Sequence, residues 1–131
     1  MNILIVDDLN TMRQLIKRSL LEFPANSPVN IEEIYEAADP EIALEMLDDG
    51  LVVNLILSDL HMPNINGIEF LKVMKNHPQY KDIPVIMITT DGSKRQVLNA
   101  IKNGAKDYIF KPFQTDELLM KVEDICSRYC N

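Results

Sequence analysis

The sequence predicts an α/β doubly wound domain in which five strand–helix units build a parallel sheet covered by helices on both faces. Three observations predict it. Short uninterrupted apolar runs, such as Ile3-Leu4-Ile5-Val6 and Val85-Ile86-Met87-Ile88, are the pattern of strands buried on both faces. Between such runs lie segments with apolar residues at three- and four-residue spacing, the pattern of helices with one buried stripe. Four of the runs also end on residues able to do chemistry: Asp7-Asp8, Asp59, Thr89-Thr90 and Lys111-Pro112.

The elements follow in order. After the first run, Met12, Leu15, Ile16, Ser19, Leu20 and Phe23 form one helical stripe, with Asp8 or Asn10 as the expected N-cap. The segment from Phe23 to Asn30 is a long connection. The second strand, Ile31 to Ala37, is interrupted by Glu32, Glu33 and Glu36, which suits a sheet edge. Asp39-Pro40-Glu41 starts the second helix and Gly50 stops it: a capping carboxylate, proline at the first helical position, then an acid in the first turn. The third strand, Leu55-Ile56-Leu57-Ser58, leads into Asp59, and its helix carries Ile68, Leu71 and Met74 and ends before Pro78. The fourth helix, near Ser93 to Asn103, is expected to bury Val97, Ala100 and Ile101 before Gly104 closes it. The last strand is Tyr108-Ile109-Phe110. The last helix starts at Thr115 with Asp116 and Glu117 in its first turn and has the stripe Leu118, Val122, Ile125, Cys126 and Tyr129.

With 131 residues, 47% of them hydrophobic and 25% charged, the chain is one domain, residues 1–131, able to bury a core without staples. No linker leads to an effector domain. No apolar stretch approaches the ~20 residues that span a bilayer, and no signal segment opens the chain, so the expected location is cytoplasmic. A net charge of −7 argues against nucleic-acid binding, which needs a basic face to displace counterions. Cys126 and Cys130, one helical turn apart, read as reduced thiols. Most of the seven methionines fall at core-facing positions and read as gap-fillers.

In open parallel sheets, ligands bind beyond the carboxyl ends of the strands. Asp7, Asp8, Asp59, Thr89, Thr90 and Lys111 all sit there, so three carboxylates, a hydroxyl and an ammonium are expected to share one small volume. The carboxylates would repel unless a cation joined them, and an all-oxygen donor set favours Mg²⁺. An aspartate beside Mg²⁺ and a lysine is either a ligand only or a nucleophile that carries an acyl phosphate. Lys111, the Thr89 hydroxyl and the Thr90 main-chain N–H would then serve the phosphoryl oxygens. Taken singly each residue has a plainer reading: Lys111 as a surface lysine, Thr89 as a strand end, Tyr108 as a strand aromatic. His61 is expected to be a solvated side chain without partners.

At this point the sequence resembles response-regulator receiver domains, and within them the CheY-like single-domain type. The resemblance spans Asn2 to about Tyr129. It rests on Ile-Val-Asp7-Asp8, Ser-Asp59-Leu-His-Met-Pro63-Asn-Ile-Asn-Gly67, Met-Ile-Thr89-Thr90, Gly104-Ala105 and Tyr108-Ile-Phe-Lys111-Pro112-Phe113. It implies a flavodoxin-like sheet in the order 2-1-3-4-5 and a stand-alone response regulator of two-component phosphorelay signalling. Asp59 would be the phosphoacceptor for a sensor histidine kinase, and the chain would catalyse only its own phosphorylation and dephosphorylation. Asp8 and Asp59 would bind Mg²⁺ directly, Asp7 through water, and the His61 main-chain carbonyl would complete the protein ligands. Lys111 would contact the phosphoryl group and form a cis bond to Pro112. Thr89 and Tyr108 would be the switch, Tyr108 swinging inward as Thr89 moves to the phosphoryl oxygens. A downstream protein would read the face of the fourth helix, fifth strand and fifth helix, with Lys94, Val97, Tyr108 and Lys121 at matching positions, the chain itself staying monomeric.

The resemblance is incomplete at Leu9, His61, Asp91 and Asn66, and the connection at 24–30 is longer than usual. His61 and Asp91 border the route of attacking water, so phosphoryl lifetime does not transfer from relatives. Chemotaxis or flagellar motor control is the first expectation for the pathway; a phosphate sink, or a regulator of a kinase or another enzyme, would carry the same site. A Mg²⁺-dependent aspartyl-phosphate hydrolase is less favoured, because Asp59-Leu60-His61 lacks a second acid two residues on. A flavodoxin-type cofactor binder is disfavoured too, since Asp7-Asp8-Leu9 would repel a phosphate unless Mg²⁺ intervened.

Overall fold

The computed structural model describes residues 1–63 and 65–129. Five strands and five helices alternate along the chain. They are β1 (Asn2–Val6), α1 (Asn10–Leu20), β2 (Glu33–Ala37), α2 (Pro40–Asp48) and β3 (Leu55–Ser58), then α3 (Gly67–Asn76), β4 (Val85–Thr89), α4 (Lys94–Lys102), β5 (Asp107–Phe110) and α5 (Thr115–Tyr129). The strands form one parallel sheet in the order β2-β1-β3-β4-β5. The acid-rich β2 is at an edge, as its glutamates predict.

Strand alternation divides the core in two. Leu4 and Val6 of β1, Ile56 of β3 and Val85 and Met87 of β4 face Ala43, Leu47, Phe70, Leu71, Met74 and Ala100 of α2, α3 and α4. Ile3 and Ile5, Leu55 and Leu57, and Ile86 and Ile88 face Ile16, Leu20, Leu118, Val122 and Ile125 of α1 and α5. With both faces covered, the inner strands β1, β3 and β4 have no room for polar side chains in their interiors. That is why the chemistry collects at one edge.

Local signals place the helices. The Asp39 side chain accepts from the Ile42 N–H at 2.9 Å, with Pro40 opening α2, and the chain reverses after it through Gly50 at φ +102°. Asn66 and Ser93 cap α3 and α4 in the same way. α1 differs from expectation. Its N-cap is Leu9, with no side-chain cap, because the Asp8 carboxylate faces the cleft and Asn10 Oδ1 instead lies within bonding distance of Arg13 Nη2 and Gln14 Nε2.

Some stripes are narrower than their periodicity suggests. Leu15, Ile101 and Tyr129, expected inside, are 43%, 45% and 45% exposed. α4 buries only Ala100, with Val97 packed partly against the core and Leu98 and Ile101 left exposed. Tyr129 lies instead beneath the Lys106 ammonium, 4.7 Å from its ring centre. Met74 and Met87 are fully buried, as gap-fillers should be, but Met120 points to solvent. Cys126 is a half-buried free thiol, and Cys130 lies outside the described residues.

Candidate functional site at the strand ends

Asp7, Asp8 and Asp59 meet where β1 and β3 end, each offering a carboxylate oxygen within 4.8 Å of the others. Their surroundings differ. Asp7 is buried and every polar group it has is occupied. Its N–H donates to Ala37 O at 3.1 Å and its carbonyl accepts from Arg13 Nη1 at 2.7 Å. Its Oδ1 accepts from the Leu9 N–H at 2.9 Å and its Oδ2 from Lys111 Nζ at 2.8 Å. Asp8 is exposed and lines the cleft. Asp59 is buried at the floor, where its Oδ1 accepts from the Leu60 N–H at 2.7 Å and its Oδ2 lies 3.4 Å from Lys111 Nζ.

Two local features hold Asp59 in place. Its N–H donates to Val6 O at 2.9 Å, extending the β1–β3 ladder by one residue. Behind it, α3 starts at Gly67, where a Cβ would stand 2.5 Å from Asp59 O and 2.8 Å from Leu60 Cα. Only a residue without a side chain lets the helix approach so closely.

Lys111 enters from the end of β5, anchored by its N–H on Thr89 O at 2.9 Å, and its bond to Pro112 is cis. Its side chain is only 6% exposed and ion-pairs with both Asp7 and Asp59. An open cleft of about 440 Å³ gives access, lined by Asp8, Leu9, Met12, Asp59, His61, Thr90, Lys111 and Pro112. The oxygen-rich donor set suits a hard divalent cation, and a lone lysine leaves the three carboxylates undercompensated.

Thr89 is buried and its hydroxyl accepts from the Asp91 N–H at 3.3 Å, while Thr90 is on the cleft wall. Tyr108 points inward: it is 7% exposed and its hydroxyl donates to Asp91 O at 2.7 Å. Burial, then the charges of Asp91 and Asp59, push that phenol up to about 12. Phe110 packs edge-on against it, ring centres 5.3 Å apart. Of the other residues expected on the contact face, Lys94 is exposed, Val97 is half-buried, and Lys121 is held 3.0 Å from Asp107.

One expectation fails. His61 is not without a partner: its Nε2 lies 2.9 Å from Asp91 Oδ2, so the loop after β3 is tied to the loop after β4 across the cleft mouth. This contact holds the Asp91 carboxyl below the usual carboxylate range, assisted by the Ser93 backbone. It joins residues 30 apart on different loops, which no local pattern reveals. The Arg13–Glu36 contact gives no local signal either. Arg13 lies on the polar side of the α1 stripe, and only the β1–β2 pairing brings Glu36 beside it.

With the geometry in hand, comparison with known proteins defines the class: residues 3–123 match the response regulator receiver domain, and the chain belongs to that family. Among its relatives are chemotaxis protein CheY1 of Helicobacter pylori, 38% identical over 94% of each chain, and a CheY homolog of Campylobacter jejuni, 36% identical over 95% of this chain and 92% of that one. The chemotaxis protein CheY of Pseudomonas aeruginosa is 34% identical over 98% of both. Chemotaxis response regulator CheY4 of Vibrio cholerae superposes with a TM-score of 0.79 at 31% identity, covering 95% of this chain and 97% of the other. The chain is thus a CheY-type signalling protein by sequence and fold. Among the described residues, no helix is long and apolar enough to cross a membrane.

Proposed function

We propose that the chain is a stand-alone response regulator, phosphorylated on Asp59 by a sensor histidine kinase, that acts by contact with a downstream protein. The observation that carries this reading is Lys111 Nζ, 2.8 Å from Asp7 and 3.4 Å from Asp59 beneath an open, carboxylate-lined cleft. An Asp59 carboxylate oxygen attacks the phosphorus of a phosphohistidine. The new O–P bond forms as the N–P bond breaks, and the imidazole leaves with the electron pair. Asp8, Asp59 and the His61 main-chain carbonyl would hold Mg²⁺, with Asp7 in an indirect role. When bound, the ion supplies positive charge that offsets the carboxylates and the phosphoryl oxygens. Asp7, whose carboxylate oxygens already accept from Leu9 and Lys111, fits that indirect role. Lys111 and the Thr90 N–H stabilise the phosphoryl oxygens, and Thr89 turns its hydroxyl toward them. Thr89 and Tyr108 form the switch that the target reads.

The contact face is α4–β5–α5, with Lys94, Val97, Tyr108 and Lys121 the residues a partner touches. Chemotaxis is the pathway the named relatives support. The test is phosphotransfer from a purified sensor kinase carrying phosphohistidine. Label should pass to the wild-type chain in Mg²⁺ and fail to reach Asp59→Asn. Label reaching Asp59→Asn at the wild-type rate overturns the assignment.

A further inference from the structure

The acidic pair at the end of β1 is held by a residue outside the phosphoryl chemistry. Arg13, on α1, sends Nη1 back to Asp7 O at 2.7 Å, Nη2 to Asn10 Oδ1 at 3.2 Å and Nε to Glu36 Oε1 at 3.1 Å. Glu36 of β2 is fixed in turn by Gln14 Nε2 at 2.8 Å, with Lys17 Nζ 3.9 Å away. The arginine is sheltered, its side chain 15% exposed.

The geometry points to Arg13, anchored by Glu36, as a positioning residue for the cation site, holding the Asp7–Asp8 peptide so that Asp8 faces the metal. This inference rests on the reading that Asp8 and Asp59 hold Mg²⁺. The Asp7 carbonyl and the Asp8 N–H belong to one rigid peptide plane, so fixing the oxygen fixes where the Asp8 Cα and its side chain begin. Among the described residues, little else restrains Asp8. It is exposed, and the helix after it has no side-chain cap. The preceding peptide plane, between Val6 and Asp7, is already set, because the Asp7 N–H is bound to Ala37 O on β2. Arg13 completes the clamp and ties it to the same strand through Glu36. The planar fork serves these three acceptors at once, which a lysine cannot do in the same arrangement.

Charge and position make opposite predictions. As a cation near the carboxylates, Arg13 repels Mg²⁺, so its removal would tighten metal binding if charge alone mattered. As a positioning residue, its removal loosens binding, as the loss of outer-shell partners generally does.

The test is a Mg²⁺ titration of the unphosphorylated full chain, followed by amide shifts in the loops after β1 and β3. Arg13→Ala should raise the half-saturating Mg²⁺ concentration on the order of ten-fold. Adding Glu36→Gln to Arg13→Ala should add little, since the anchor has nothing left to hold. A half-saturation unchanged or lowered in Arg13→Ala overturns the proposal, even if the variant is less stable. Should Arg13→Ala fail to fold, Arg13→Lys decides: it keeps the charge, so a raised concentration is positional and an unchanged one overturns the proposal. A wild-type chain that binds no Mg²⁺ removes the functional reading first.

Discussion

The Tyr108 hydroxyl donates to the main-chain oxygen of Asp91 at 2.7 Å, which holds the tyrosine inside. Asp91 is itself fixed on three sides, by His61 at its carboxylate, by Thr89 Oγ1 at its N–H and by the Ser93 N–H at Oδ1. The tie between loops thus fixes the acceptor that the tyrosine needs.

This arrangement predicts alkaline sensitivity. Burial and the nearby charges of Asp91 and Asp59 raise Tyr108 from an ordinary 10.0 to about 12, so the native state keeps a proton that the unfolded chain releases. Stability from this group is full below pH 10 and is lost as the pH rises through about 12. Tyr80 is raised to about 12 as well, chiefly by its hydrogen bond to Asp48. Urea unfolding across this range should show a shallower fall in stability for Tyr108→Phe or Tyr80→Phe than for the wild type, and the shallowest for the double variant. Equal slopes would contradict the environments described.

Among the described residues, Lys111 is the one cation paired with the Asp7 carboxylate, whose side chain is 2% exposed. Removing one member of a buried pair leaves an uncompensated charge, which costs about 3–5 kcal/mol. Lys111→Met should lose about that much stability in EDTA. Mg²⁺ should stabilise the variant more than it stabilises the wild type, because a divalent ion replaces the missing charge. Urea unfolding with and without Mg²⁺ checks both points; an equal deficit in the two conditions would argue against a cation in the carboxylate cluster.

Gly67 should tolerate no side chain. A Cβ there would meet Asp59 O at 2.5 Å and Met87 Cε at 2.6 Å. The methionine can move, but the Asp59 carbonyl is backbone, so α3 or the floor of the site has to shift. Gly67→Ala should cost about 1–3 kcal/mol, the usual range for overpacking, and slow labelling of Asp59. Urea unfolding and a labelling time course check the pair; wild-type stability would show that α3 moves away freely.

The sheet and the cleft at its edge were legible in the sequence for one physical reason. Strands buried on both faces admit no polar side chain, so β1, β3, β4 and β5 stand out as apolar runs and their ends mark the cleft. Contacts between separate loops left no such trace. The His61–Asp91 tie and the Arg13–Glu36 anchor join segments that only the folded sheet brings together. Periodicity also overstated burial where a helix has one line of contact, as at Ile101, and it could not show that Leu9 caps α1.

The central claim is that Asp59 carries the phosphoryl group, and intact-protein mass measurement with a small-molecule acyl phosphate tests it most directly. In Mg²⁺ the wild-type chain should gain one phosphoryl group, mapped by peptide analysis to Asp59. The gain should vanish in EDTA and in Asp59→Asn. A phosphoryl group on any other residue, or a wild-type chain that remains unmodified, would contradict the account.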